Sequence, residues 1–186
     1  MGRLVYGMNV SLDGYAADSN GGVNWATVDE EIHAWWNDRI READAYLYGR
    51  RLYELMAAHW PAARADPALS PIEHDFAEIW TAAPKVVFSS TLGQVDWNAR
   101  LERRPIEDVI DELRAGIDGD IDVGGPTLAA PLVRRNLIDV YRLVIHPVVL
   151  GGGLPFFPDL ERPAGLRLFE TRTFDSGLVY LGYVPR

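Results

Sequence analysis

Apolar and polar positions fall into blocks along this chain, and the period changes from block to block. Residues 3–10 (RLVYGMNV) are apolar and partly β-branched, and end at Ser11, which predicts a buried strand. Residues 11–28 are rich in Gly, Asp, Asn and Ser and predict a long loop, a class often functional in compact domains. Residues 29–43 place Ile32, Trp35, Trp36, Ile40 and Ala43 at helical spacing, with acids in the first turn and arginines in the last. Thr27 and Glu30 fit a capping box there. A short strand at 44–48 runs into Gly49-Arg50-Arg51, and a helix over 50–58 follows. Pro61, Pro67 and Pro71 make 60–71 an irregular loop before a helix over 72–81.

The second half repeats the alternation. Residues 85–89 predict a strand, Pro105 opens a helix to about Ala115, and 121–123 predict a short strand. Gly124-Gly125 then leads into a helix through Leu137. If Thr127 caps that helix, Pro131 falls at the edge of its first turn, where its missing N–H is tolerated. A long strand over 139–150 ends at Gly151-Gly152-Gly153. Segments 166–174 and 178–184 flank Asp175-Ser176-Gly177 as a hairpin. Alternating strands and helices imply one α/β domain over residues 1–186. Its sheet is mostly parallel, with helices on both faces and an antiparallel terminal hairpin. Ligands of such sheets bind beyond the carboxyl ends of the strands.

Charge and composition narrow the chemistry. A net charge of −9 argues against nucleic acid and against anionic membranes. It leaves room for a phosphorylated cofactor met by local arginines. The absence of cysteine excludes disulfides, thiolate zinc sites and cysteine nucleophiles. No apolar stretch has the form of a signal peptide or the length of a membrane span, so the cytoplasm is expected. His33, His59, His74 and His146 show no ligand spacing, so no metal site is expected. His146, inside an apolar run, reads as a satisfied core residue.

Four strand ends carry candidate chemistry. At Gly124-Gly125-Pro126-Thr127-Leu128 the missing side chains let the backbone approach a pyrophosphate at a helix start. Gly49-Arg50-Arg51 delivers two cations to a helix end whose dipole disfavours them, a local inconsistency that marks a site. Arg103-Arg104 and Arg134-Arg135 fall on a connecting segment and late in a helix. Ser89-Ser90-Thr91 offers hydroxyls suited to phosphate or ribose. The 11–28 loop carries Asp13 and Trp25 and could cover a flat ring. Glu30 and Asp13 are the candidate proton donors, with capping the first reading of Glu30.

These segments, in this order, resemble the C-terminal reductase domain of bacterial riboflavin biosynthesis enzymes and their stand-alone relatives in the dihydrofolate-reductase-like superfamily. The resemblance rests on Ser11-Leu12-Asp13-Gly14 with Trp25, Gly49-Arg50-Arg51-Leu52-Tyr53-Glu54, Ser89-Ser90-Thr91, Val123-Gly124-Gly125-Pro126 and Leu137-Ile138-Asp139. His146-Pro147-Val148-Val149-Leu150-Gly151-Gly152-Gly153 completes the set. It implies a three-layer α/β/α fold and NADPH as cofactor. The 2′-phosphate would lie near Arg50 and Arg51, the adenosine along Ser89–Leu92 and the pyrophosphate at Gly124–Leu128. Val10 and Ala16 would line the nicotinamide, and Asn9 and Trp25 the substrate pocket. It also implies a homodimer built partly from C-terminal strands. The expected activity is NADPH-dependent reduction of a small pterin- or pyrimidine-like heterocycle or a carbonyl compound. A catalytically silent nucleotide- or pterin-binding protein is the alternative, and reduction with a deazaflavin a third reading.

Overall fold

The computed structural model describes all 186 residues. The chain runs β1 (Arg3–Ser11), β2 (Tyr15–Ala17), α1 (Glu30–Arg41), β3 (Ala43–Gly49), α2 (Arg50–Ala63), α3 (Pro71–Ala82), β4 (Lys85–Phe88) and β5 (Ala99–Glu102). It continues through α4 (Ile106–Gly116), β6 (Asp120–Gly124), α5 (Pro126–Arg134), β7 (Val140–His146), β8 (Leu154–Pro155), β9 (Leu166–Thr173) and β10 (Val179–Pro185). Eight strands form one sheet in the order β5-β4-β3-β6-β1-β7-β10-β9. The six from β5 to β7 are parallel, and β10 and β9 add the antiparallel hairpin.

The two-residue period of the strands divides the core. Leu4, Tyr6 and Val10 of β1, with Ile121 and Val123 of β6, pack under Ile106, Val109, Ile110 and Leu113 of α4 and Ala129, Leu132 and Val133 of α5. On the opposite face, Tyr46, Tyr48 and Val87 meet Tyr53 of α2 and Phe76 and Trp80 of α3. Val144 and Tyr180 meet Ile32 and Trp35 of α1. The result is the expected three-layer α/β/α sandwich.

Several boundaries differ from the sequence reading, each for a local reason. β2 lies inside the expected 11–28 loop and pairs with β8, and its Ala16 is buried. β5 escaped the pattern because Ala99-Arg100-Leu101-Glu102 is short, charged and at the sheet edge. α2 continues past residue 58 to Ala63 and carries Pro61 in its last turn. α5 stops at Arg134 rather than Leu137, because Asn136 turns left-handed at φ 54°. β7 stops at His146 rather than Leu150, where Pro147 has no N–H for the ladder.

Two expected caps are also replaced. Asp29, not Thr27, caps α1 and accepts from the Ile32 N–H at 2.9 Å. Glu30 is therefore the first helical residue, exposed, and there is no Thr27–Glu30 box. The capping box of this protein is Ser70–Glu73, at the start of α3. Gly125, not Thr127, caps α5, with Pro126 in its first position. Pro131 then sits inside the helix, beyond the first turn.

Candidate active site

The carboxyl ends of β3 and β6 lie side by side, with Tyr48 opposite Gly124 in the parallel register. Each strand turns through a glycine into a helix. Gly49 leads into α2 and Gly125 into α5. A Cβ on Gly49 would lie 3.9 Å from that of Leu128, so the two helix starts are neighbours. Neither has a side-chain cap or an acid in its first turn, whereas α1, α3 and α4 all carry acids there. Two uncapped N-termini thus present orphan N–H groups and the positive ends of their dipoles to one place.

The glycines differ in what demands them. A Cβ on Gly124 would come within 2.5 Å of Tyr48 Cδ1 and 2.8 Å of Leu52 Cδ2, so its smallness serves packing. Gly125 has φ +94° and meets only Leu52, at 3.7 Å. Its glycine is required by conformation, and the space before it is open. Arg50 and Arg51 are exposed. Neither joins an ion pair, whereas Arg39, Arg41, Arg64, Arg104, Arg114 and Arg172 all do. Their charge is uncompensated beside two positive helix ends.

Beyond β4, the Ser89 hydroxyl accepts from the N–H groups of Thr91 (3.2 Å) and Leu92 (3.1 Å), closing a tight turn. The Ser89 N–H itself is bonded to Glu102 O of β5. Ser90 and Thr91 remain exposed. Arg103 donates to the carbonyls of Ser90 (3.1 Å) and Leu92 (2.9 Å) and so holds this turn from outside. The sequence reading placed Arg103 on a connecting segment, and it lies on the one between β5 and α4. It follows the unrecognised strand β5 and is part of the site's rim. Arg104, by contrast, is consumed by Glu102 and Glu112.

The end of β1 carries the other candidates. Asn9 is half-buried, and its Oδ1 accepts from Trp36 Nε1 at 3.1 Å. Trp36 therefore orients Asn9, a role that its place in an amphipathic helix did not reveal. Val10 and Ala16 are 1% and 3% exposed and belong to the main core. Asp13 accepts from Ser11 Oγ at 2.7 Å and from the N–H groups of Leu150 (3.1 Å) and Gly151 (2.7 Å). The Ser11 hydroxyl and these amides hold its carboxyl below the usual range, so it stays ionised and ties two loops together. Trp25 donates its Nε1 to Gly22 O at 3.2 Å and stands edge-on to His146, with ring centroids 5.5 Å apart.

His146 is 2% exposed, and its Nε2 has no hydrogen-bond partner. The expectation of a satisfied core histidine is thus overturned. Asp122, not singled out in the sequence, has its carboxyl raised to about 7, chiefly by burial, with Arg142 opposing and Asp120 reinforcing the shift. It precedes Gly124 by two residues in β6 and lies beside the Arg3–Asp120–Arg142 ion network.

A cavity of about 720 Å³ opens elsewhere, at the amino ends of β3, β4 and β5, lined by Asp44, Lys85, Trp97, Arg100 and Glu112. Its volume would admit a small ligand, but chemistry favours the strand ends. The strand ends are the better candidate, because the cavity's buried amine, Lys85, is already bonded to the carbonyls of Ala83 and Trp97. No helix is long and apolar enough to cross a membrane.

This arrangement is that of known folds. The structure superposes on dihydrofolate reductase from Enterococcus faecalis, complexed with NADP(H) and RAB-propyl, with a TM-score of 0.66 at 12% identity over 99% of this chain and 96% of that one. It also superposes on a Thermotoga maritima diaminohydroxyphosphoribosylaminopyrimidine deaminase/5-amino-6-(5-phosphoribosylamino)uracil reductase, with a TM-score of 0.67 at 18% identity, covering all of this chain and 57% of that one. In sequence it is 32% identical over 182 residues to the uncharacterized protein YyaP of Bacillus subtilis (strain 168), covering 97% of this chain and 94% of that protein. The RibD C-terminal domain model matches residues 3–180, and the chain belongs to that family.

Proposed function

We propose that this protein is an NADPH-dependent reductase acting on a small heterocyclic or carbonyl substrate. The carrying observation is the pair of adjacent, uncapped helix N-termini at Gly49 and Gly125, with Arg50 and Arg51 free of acidic partners. In a chain of net charge −9, such a concentration of unbalanced positive potential suits a phosphorylated ligand. A dinucleotide fits the donor set. Its pyrophosphate would meet the N–H groups of Gly125, Thr127 and Leu128, its 2′-phosphate Arg50 and Arg51, and its adenosine the turn Ser89–Thr91. Bound NADPH supplies a hydride. The chain's own part is to hold the acceptor at the ends of β1 and β7, with Asn9 fixed by Trp36 and Trp25 excluding water.

One observation favours the silent binding protein. Asp13 is committed to the backbone of Leu150 and Gly151, and Glu30 is exposed at the start of α1, so neither is set as a proton donor. Steady-state NADPH oxidation against pterins, flavin precursors and dicarbonyls separates the readings, with calorimetric NADPH titration alongside. Binding without turnover supports the silent protein, and absence of binding removes both.

Glu30→Gln should keep most activity and stability, since Asp29 does the capping. A steady-state loss of roughly a hundredfold, the worth of a general acid, would make Glu30 the donor.

The proposed assembly is a homodimer through the C-terminal hairpin. β9 is an edge strand, with Leu168 and Phe169 46% and 47% exposed. Such an edge needs covering, and a twofold partner is the commonest cover. Light scattering at tens of micromolar should give twice the chain mass, and a monomer mass would count against the hairpin as an interface.

A further inference from the structure

We infer that His146 is a substrate-binding residue, offering its imidazole Nε2 to a polar atom of the acceptor from beneath Trp25. The inference rests on the reductase reading of the strand ends and adds a residue to it.

Three observations converge on the imidazole. It stands at the carboxyl end of β7, opposite Ser11 in the parallel register, where β1 also ends. The ring is 2% exposed, yet its Nε2 has no partner in the protein. Buried polar atoms are nearly always matched, and an unmatched one lowers stability unless a ligand or water completes it. The third observation is what lies against it. Trp25, from the segment between β2 and α1, packs edge-on at 5.5 Å. Trp25 is only partly buried, and its nearest anchor is a 3.2 Å bond to Gly22, within its own loop. The buried ring thus lies against a side chain held by a bond within its own loop.

The neighbouring polar groups do not compete for it. Ser11 Oγ is spent on Asp13 and the Tyr15 N–H, and Asp13 is spent on Leu150 and Gly151. No carboxylate forms an ion pair with His146, and burial holds its pKa below the usual histidine value, so the ring is neutral at pH 7. A neutral imidazole carries one N–H and one acceptor nitrogen, and with the proton on Nε2 it would donate one hydrogen bond without adding charge. That suits a carbonyl oxygen, or its equivalent in a planar lactam, better than an anion. A ligand in which that oxygen is missing would leave the nitrogen unmatched, which is how buried polar groups discriminate.

The test uses the full chain with isotope-labelled histidine, titrated with lumazine, uracil and diacetyl, each with and without NADP+. At least one probe should move the His146 Nε2 resonance. His146→Phe, which keeps a ring against Trp25, should weaken that probe roughly tenfold or more, with NADPH affinity unchanged. His146→Gln, which restores a donor, should recover part of the loss. If no probe moves the resonance, the nitrogen is matched by water alone and the inference fails. It also fails if His146→Phe binds the probe as tightly as the parent. Failure of the parent to bind NADPH would instead remove the reductase reading, and titrations without NADP+ would still decide the role of His146.

Discussion

Gly125→Val should abolish NADPH binding, to the limit of calorimetric detection, while the chain still folds. Two effects add. A valine side chain would extend into the open space before α5, where only Leu52 lies near. It would also have to adopt φ +94°, a conformation costly for β-branched residues. The backbone would relax away from that value and carry the N–H groups of Thr127 and Leu128 out of line. Strain of this kind costs about 1–3 kcal/mol, within what a folded domain of 186 residues tolerates. Circular dichroism and thermal melting check the fold, and calorimetry checks the cofactor. A folded variant that binds NADPH like the parent would reduce Gly125 to a turn residue. Gly124 is the wrong choice for this experiment, since any side chain there would collide with Tyr48 and Leu52 and disturb the core.

Cofactor choice should reside in Arg50 and Arg51. NADPH and NADH differ only by the 2′-phosphate, so discrimination must come from groups that meet that dianion. Both arginines are exposed and without acidic partners. A hydrogen bond to a charged group contributes about 1.5–3 kcal/mol, so either Arg50→Ala or Arg51→Ala should weaken NADPH roughly 10- to 150-fold. NADH binding should change little. Arg103 is the natural control. It too approaches this rim, but its guanidinium is occupied by the carbonyls of Ser90 and Leu92, so it shapes the turn rather than reading the phosphate. Should calorimetry show that the NADPH-to-NADH affinity ratio is the same in both variants and the parent, the adenosine end lies elsewhere.

What could be read from the sequence followed burial. β1 and β7 are largely apolar and α1 shows a helical stripe, so these elements were legible from periodicity, while the layers and the hairpin followed from strand–helix alternation and the turn at Asp175-Ser176-Gly177. β5 was not legible, because an edge strand with Arg100 and Glu102 obeys no apolar pattern. With β5 unseen, Arg103 had no strand to follow, and its place beside Ser89–Leu92 was lost as well. Gly49, Gly124 and Gly125 were legible because a strand-to-helix turn needs small residues at fixed offsets. The role of Gly124 differs from that expected, since it makes room for Tyr48 rather than for a ligand. His146 was misread for a general reason. Periodicity reports whether a residue is buried, and it carries no information on whether its nitrogen finds a partner.

β1 comes first among the strands and pairs only with strands far along the chain. Its two neighbours in the sheet are β6 and β7, which begin at Asp120 and Val140. Leu4, Val5 and Tyr6 are each at most 1% exposed in the finished protein. During synthesis these residues therefore wait with both edges open until well over half of the chain has emerged. Such contacts, distant in sequence, close slowly, and unpaired apolar strands are where nascent chains associate wrongly. The central position of this early strand thus makes completion of the sheet a late step in folding.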